Sequence, residues 1–124
     1  NIVTKMNVPE KELIELFNCA DVLSFPCIYE GFYRPPFEAM ACEIPAVIPH
    51  RPAFEEIEGK DSVIRINNKS TKEISDAIIS ILENKKLADK LVKNGKTEVK
   101  NYTEKIEKYM PELLDKSYRE LSRN

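Results

Sequence analysis

Two carboxylates, Glu30 and Glu38, stand eight positions apart within Tyr29-Glu30-Gly31-Phe32-Tyr33-Arg34-Pro35-Pro36-Phe37-Glu38. An ionised carboxylate accepts hydrogen bonds from two vicinal hydroxyls, so such a pair can hold two polyols, for example a hexose and a ribose. Gly31 lets a ligand approach the main chain because no Cβ intervenes. The first amides of a following helix donate to anionic oxygens. Pro35 and Pro36 remove two of those donors, which leaves Phe32, Tyr33 and Arg34 to form an anion site, with the Arg34 guanidinium next to a phosphate. Two Glu about 5–10 Å apart can also cleave glycosides. Surface acids also serve solubility and the helix macrodipole alone. Residue type and spacing leave these readings open, and Phe32 and Phe37 suit a core as well as a stacking platform.

The elements around this segment form a regular series. Val22-Leu23-Ser24-Phe25 reads as a buried strand and residues 37–42 as a short helix, so both acids fall at the carboxyl rim of a sheet, where open α/β folds bind ligands. Asn1-Ile2-Val3-Thr4 reads as the middle of a strand, which implies a chain that begins inside a longer one. Pro9 and Glu10 open a helix over residues 9–20 whose Leu13, Leu16, Phe17 and Ala20 should face the core. Ala46-Val47-Ile48 and residues 62–66 are further strands. Four strands in β-α-β-α-β rhythm call for a parallel sheet with right-handed crossovers.

Ser70 and Glu73 form a capping box, and Ile74, Ala77, Ile78, Ile81 and Leu82 recur at helical period, predicting a helix over 71–83. A second helix over 87–99 is weakened at Gly95 by roughly 1 kcal/mol relative to Ala. Ile106, Tyr109, Met110, Leu113, Leu114, Tyr118 and Leu121 continue the helical pattern. Pro111 should kink or restart that last helix. The expected organisation is a nucleotide-sugar-binding unit over 1–101 followed by a C-terminal helix over 102–124.

With 124 residues, 42% of them hydrophobic, the chain can bury one modest core. The net charge of −2 argues against a dedicated nucleic-acid binder. Between Lys85 and Lys100 six Lys face two acids, which reads as a solvated helical face or as a contact for an anionic membrane surface or acceptor. Cys19, Cys27 and Cys42 fit neither a zinc site nor a disulfide framework, so reduced cytoplasmic thiols are expected, those of Cys19 and Cys42 acting as small hydrophobes within helices. No apolar run approaches the length of a membrane span.

The residues Ala20-Asp21-Val22-Leu23-Ser24-Phe25-Pro26, Tyr29-Glu30-Gly31-Phe32, Pro35, Glu38-Ala39-Met40-Ala41-Cys42 and Pro45-Ala46-Val47 resemble the retaining family 4 (group 1) glycosyltransferases of the GT-B fold. The resemblance covers roughly residues 8–100 and implies an α/β fold, a Rossmann-like parallel sheet with flanking helices and a helical C-terminal tail. It implies the C-terminal, donor-binding domain of an enzyme that moves a sugar from a nucleotide diphosphate to an acceptor without a metal or other cofactor. On this pattern Glu30 is the catalytic-site residue that contacts the donor sugar. Gly31, Phe32, Tyr33 and Arg34 line the sugar and diphosphate, and Glu38 holds the ribose. Glu56 stands where the family often has a Glu after the next strand.

The resemblance further implies a saccharide or lipid-linked acceptor bound by a separate N-terminal domain, no nucleic acid, and a cytoplasmic protein with peripheral membrane contact left open. The basic pair that would stabilise the departing diphosphate lies upstream of Asn1 in the family, so these 124 residues alone are expected to be inactive. Tyr33, Arg34 and Glu43 depart from the family's usual Gly, Leu-like residue and Gly. Those departures motivate the alternative of a degenerate, non-catalytic interaction domain of the same fold.

Overall fold

The computed structural model describes residues 2–28, 34–50 and 61–121, with side chains described through Pro111. Its elements are α1 (Glu10–Asn18), β1 (Leu23–Ser24), α2 (Arg34–Ala41), β2 (Ala46–Pro49), β3 (Ile64–Ile66), α3 (Thr71–Glu83) and α4 (Lys85–Leu121). The three strands form one parallel sheet in the order β1-β2-β3. Leu23 pairs with Ala46, and Val47 with Ile64. This is the Rossmann-like α/β architecture expected from the alternation of strands and helices.

The middle strand shows why the sheet is covered on both sides. All four residues of β2 are buried, and successive side chains of a strand point to opposite faces. Ala46 and Ile48 join Met40 and Val63 in one core, with Leu23, Phe25, Phe37 and Val99 packed against it. Val47 joins Ile66, Ala77, Ile81 and Leu91 in the other, with Ile74, Ile78, Leu87 and Ala88 around it. Leu82, expected in the α3 stripe, is instead 56% exposed.

α3 begins and ends where its pattern predicts. The Ser70 hydroxyl accepts from the Glu73 amide at 3.2 Å, whereas the Glu73 carboxylate reaches past Ser70 to the Asn67 amide at 2.8 Å. The box is thus half replaced, because Ser70 N–H is already satisfied by the Asn67 carbonyl at 2.9 Å. Ser70→Ala should cost about 1 kcal/mol of stability, measured by denaturant unfolding. Asn84, which follows α3, caps α4 by accepting from the Leu87 amide at 3.1 Å.

α4 departs from the expectation of two helices. It runs as one helix from Lys85 to Leu121, passing through Gly95 and Pro111 without a restart. A proline removes one amide donor and crowds one carbonyl, which a long helix can absorb locally. Gly95 is set by packing: a Cβ there would lie 2.9 Å from Met40 Cγ, so the absence of a side chain lets α4 approach α2. Leu91 and Val99 lie either side of this crossing and join different cores. Of the six lysines between 85 and 100, Lys85, Lys90, Lys96 and Lys100 pair with Asp89, Asp61, Glu43 and Glu104.

Two further expectations are corrected. Residues 2–4 form no strand: they pair with no neighbour among the described residues, and Ile2 and Val3 are exposed. The described sheet therefore has three strands rather than four. α1 buries no side chain, and Leu13, Ile14 and Leu16 are exposed although their spacing is that of a core face. Periodicity marks an apolar stripe, but only a covering element turns the stripe into core.

Glu43 takes up the left-handed backbone conformation, φ 63°, just after α2. The Ile44 amide donates to the Ala39 carbonyl at 2.8 Å and the Glu43 amide to the Met40 carbonyl at 3.2 Å, which is a Schellman ending with Glu at the position glycine prefers. Its carboxylate pairs with Lys96 at 2.8 Å, but both side chains are more than half exposed, so the pair contributes little. Glu43→Gly should therefore stabilise the protein by about 0.5–1 kcal/mol, read as a raised midpoint in urea. The departure at Glu43 concerns the helix end, as its place past the short helix suggests.

Candidate functional site

The site is built on the first turns of α2. This helix starts at Arg34, three residues before the predicted Phe37, because Pro35 and Pro36 occupy the first turn, where their missing amides cost nothing. Pro36, Ala39 and Met40 anchor the inner face. Arg34 and Glu38 project from the same outer face at i and i+4, and the guanidinium Nη2 lies 3.3 Å from the Glu38 carboxylate. The Glu38 side chain is 34% exposed and that of Arg34 is 78% exposed, so the pair meets solvent and orients the carboxylate more than it stabilises the fold.

Glu38 stands on a ridge between two grooves. On one side a cleft of about 440 Å³ is lined by Val8, Glu10, Leu13, Ile14 and Phe17 from the α1 side, and by Arg34, Glu38, Ala41 and Cys42 from α2 and its end. On the other a groove of about 290 Å³ is lined by Phe37, Val99, Tyr102 and Thr103 together with Arg34, Glu38 and Ala41. Phe37 and Tyr102 close its floor with ring centroids 4.9 Å apart. The stripe of α1 is thus largely a cleft wall, apolar with charged groups at its edge, which is the usual make-up of a small-molecule site.

The strand rim is tied together as well. The Asn68 amide, after β3, donates to the Cys27 carbonyl, after β1, at 3.0 Å. The His50 amide, just past β2, donates to Ile66 at 2.9 Å. The bond from the Asn68 side chain ties down the start of the segment that follows β1, and the His50 bond extends the β2–β3 pairing.

Of the sequence-derived site residues, Arg34 and Glu38 are brought together on α2. Glu30, Gly31, Phe32 and Tyr33 lie outside the described residues, as does Glu56. Arg34, read as a neighbour for phosphate, pairs with Glu38, an i,i+4 pairing legible in the sequence. The residues that sequence reasoning missed are Val8, Glu10 and Ile14. Their signal was the stripe of α1, taken for core. Cys19 and Cys42 follow α1 and α2 rather than lying within them; Cys19 is exposed and Cys42 borders the cleft. Among the described residues no three His, Cys, Asp or Glu side chains converge as a metal site, and no helix is long and apolar enough to cross a membrane.

A parallel sheet covered on both faces, with a cleft beside the helix that follows β1, defines a Rossmann-like α/β domain. A family model described as glycosyl transferases group 1 matches residues 1–98, and the chain belongs to that family. Sucrose-phosphate synthase from Thermosynechococcus elongatus has a similar structure, with a TM-score of 0.78 and 23% identity over 90% of this chain and 29% of that one. The C-terminal domain of the glycosyl transferase group 1 family protein LpcC from Francisella tularensis is also similar, with a TM-score of 0.69 and 24% identity over 79% of this chain and 51% of that one. This chain therefore spans about a third and a half of those two structures. No curated protein sequence matches it.

Proposed function

We propose that this chain is the C-terminal, donor-binding part of a retaining GT-B, family 4 glycosyltransferase, which takes a sugar from a nucleotide diphosphate. The observation that carries the reading is the position of Glu38: a carboxylate held by Arg34 at the mouth of an apolar cleft, on the helix that leaves the strand rim. Glu38 accepts from the ribose hydroxyls, which leaves the apolar walls for the base. Glu30 contacts the donor sugar, and the main chain of Gly31, Phe32, Tyr33 and Arg34 lines sugar and diphosphate. Family membership supports the reaction class.

Retention, in this reading, requires the donor sugar to be held while the diphosphate leaves, with positive groups facing the developing charge. Arg34 is the described cation nearest in sequence to Glu30, and it is occupied by Glu38. On this reading the basic pair for the diphosphate and the site for a saccharide or lipid-linked acceptor are supplied by other parts of the enzyme, and these residues alone do not turn over donor. No metal or other cofactor takes part, and the protein works in the cytoplasm. Peripheral membrane contact falls to Lys86 and Lys93, the two lysines of the basic stretch that pair with no acid among the described residues. The degenerate-domain alternative loses one of its motives, because Glu43 ends α2 and pairs with Lys96 outside the cleft.

The test is an amide-shift titration with UDP, GDP and ADP. At least one nucleotide should move the amide resonances of residues 30–34, Phe37 and Glu38 together with those of Val8 and Leu13. A spectrum unmoved by all three at millimolar concentration would sink the donor-binding reading.

A further inference from the structure

Two carboxylates border the large cleft, and they are in different states. Glu38 is held by Arg34, and Glu12, which precedes Leu13 but does not line the cleft, is held by Lys5. Glu10 lines the cleft and has no hydrogen-bond or ion-pair partner among the described residues. With Glu38 on the ribose, the space left for a base is walled by Val8, Leu13, Ile14 and Phe17, and its lining includes Glu10 of the first turn of α1.

The chemistry of the four common bases separates them at such a group. A carboxylate offers acceptors only. Guanine presents two adjacent donors, N1–H and the N2 amino group, which match both carboxylate oxygens. Uracil presents one N–H between two carbonyls, whose lone pairs repel a carboxylate. Adenine and cytosine each pair an amino donor with a ring-nitrogen acceptor. Guanine also carries its O6 acceptor beside N1–H, and the first amides of α1, which opens at Glu10 after Pro9, have no side-chain cap.

Resting on the donor-binding reading above, we infer that the base pocket selects guanine, so that the donor is a guanosine-diphosphate sugar and Glu10 is the specificity-determining residue. The two carboxylates divide the nucleoside: Glu38 takes the ribose and Glu10 the Watson–Crick edge of the base.

Calorimetry on the intact protein with GDP, inosine diphosphate, UDP and ADP tests this directly. Inosine diphosphate keeps N1–H and lacks only the N2 amino group. GDP should bind roughly tenfold or more tighter than the other three, the discrimination expected of a bidentate pair. Glu10→Gln should bring GDP and inosine diphosphate to within about twofold of each other while leaving UDP affinity and the thermal midpoint unchanged. Equal affinity for GDP and inosine diphosphate, a preference for UDP or ADP, or a GDP preference that survives Glu10→Gln would overturn the assignment of guanine while leaving donor binding intact. Failure of all four nucleotides to bind would overturn both.

Discussion

Gly95→Ala is expected to destabilise the protein by up to about 2 kcal/mol, against the sign that helix propensity alone would give. In an open helix the exchange gains about 1 kcal/mol. Here the new Cβ would sit 2.9 Å from Met40 Cγ, 3.2 Å from Met40 Cβ and 3.3 Å from Sδ. The long side chain of methionine yields easily at its tip, but these contacts fall near its root. Met40 is 2% exposed and packs against Ala46, Ile48 and Val63, so it has nowhere to move. The clash must separate α4 from α2, and overpacking of this kind costs typically 1–3 kcal/mol. Denaturant unfolding measures the net effect. The mechanism is isolated by repeating Gly95→Ala on a Met40→Ala background, where it should cost less or stabilise. A single variant more stable than the parent by the full helix-propensity gain of about 1 kcal/mol would show that α2 and α4 do not meet so closely.

That crossing also explains which parts of the molecule could be read from its sequence. α3 was legible to the residue because its signals are local: Ser70 caps it and its stripe has a single partner face. β2 was legible because a short apolar run after Pro45 has no alternative use. The failures share one cause, which is that covering elements are not written in the segment they cover. Leu13 and Leu16 carry a core pattern without a core, and Ile2 and Val3 carry a strand pattern without a ladder. Gly95 looked like a weakness in a helix and is instead the point of closest helix approach. Pro111 looked like a boundary and sits inside α4. At the site, Arg34 and Glu38 were both visible as residues, while the α1 wall that makes a cleft beside them depends on how two helices separated by a strand come to face each other.

Glu38→Ala should lower nucleotide affinity by about 1–3 kcal/mol, the range for hydrogen bonds to a charged group. Its effect on folding should be small, because the Arg34 pair it breaks lies largely in solvent. An unchanged thermal midpoint with weakened binding therefore separates a ligand contact from a structural one. Glu38→Gln, which keeps the shape and one acceptor, should fall between the two. The contact itself is identified from the ligand side: a 2′-deoxynucleoside diphosphate lacks one of the hydroxyls assigned to Glu38. The intact protein should bind it more weakly than the ribonucleotide, and the Glu38→Ala variant should bind both alike, so that the two deletions are not additive. Additive losses would mean that Glu38 acts elsewhere, through Arg34 on the diphosphate, and the ribose assignment would have to be given up. If binding resists every change at Glu38, the ligand does not touch the ridge that Glu38 forms between the α1 cleft and the groove beside Phe37 and Tyr102, and the ribose assignment falls.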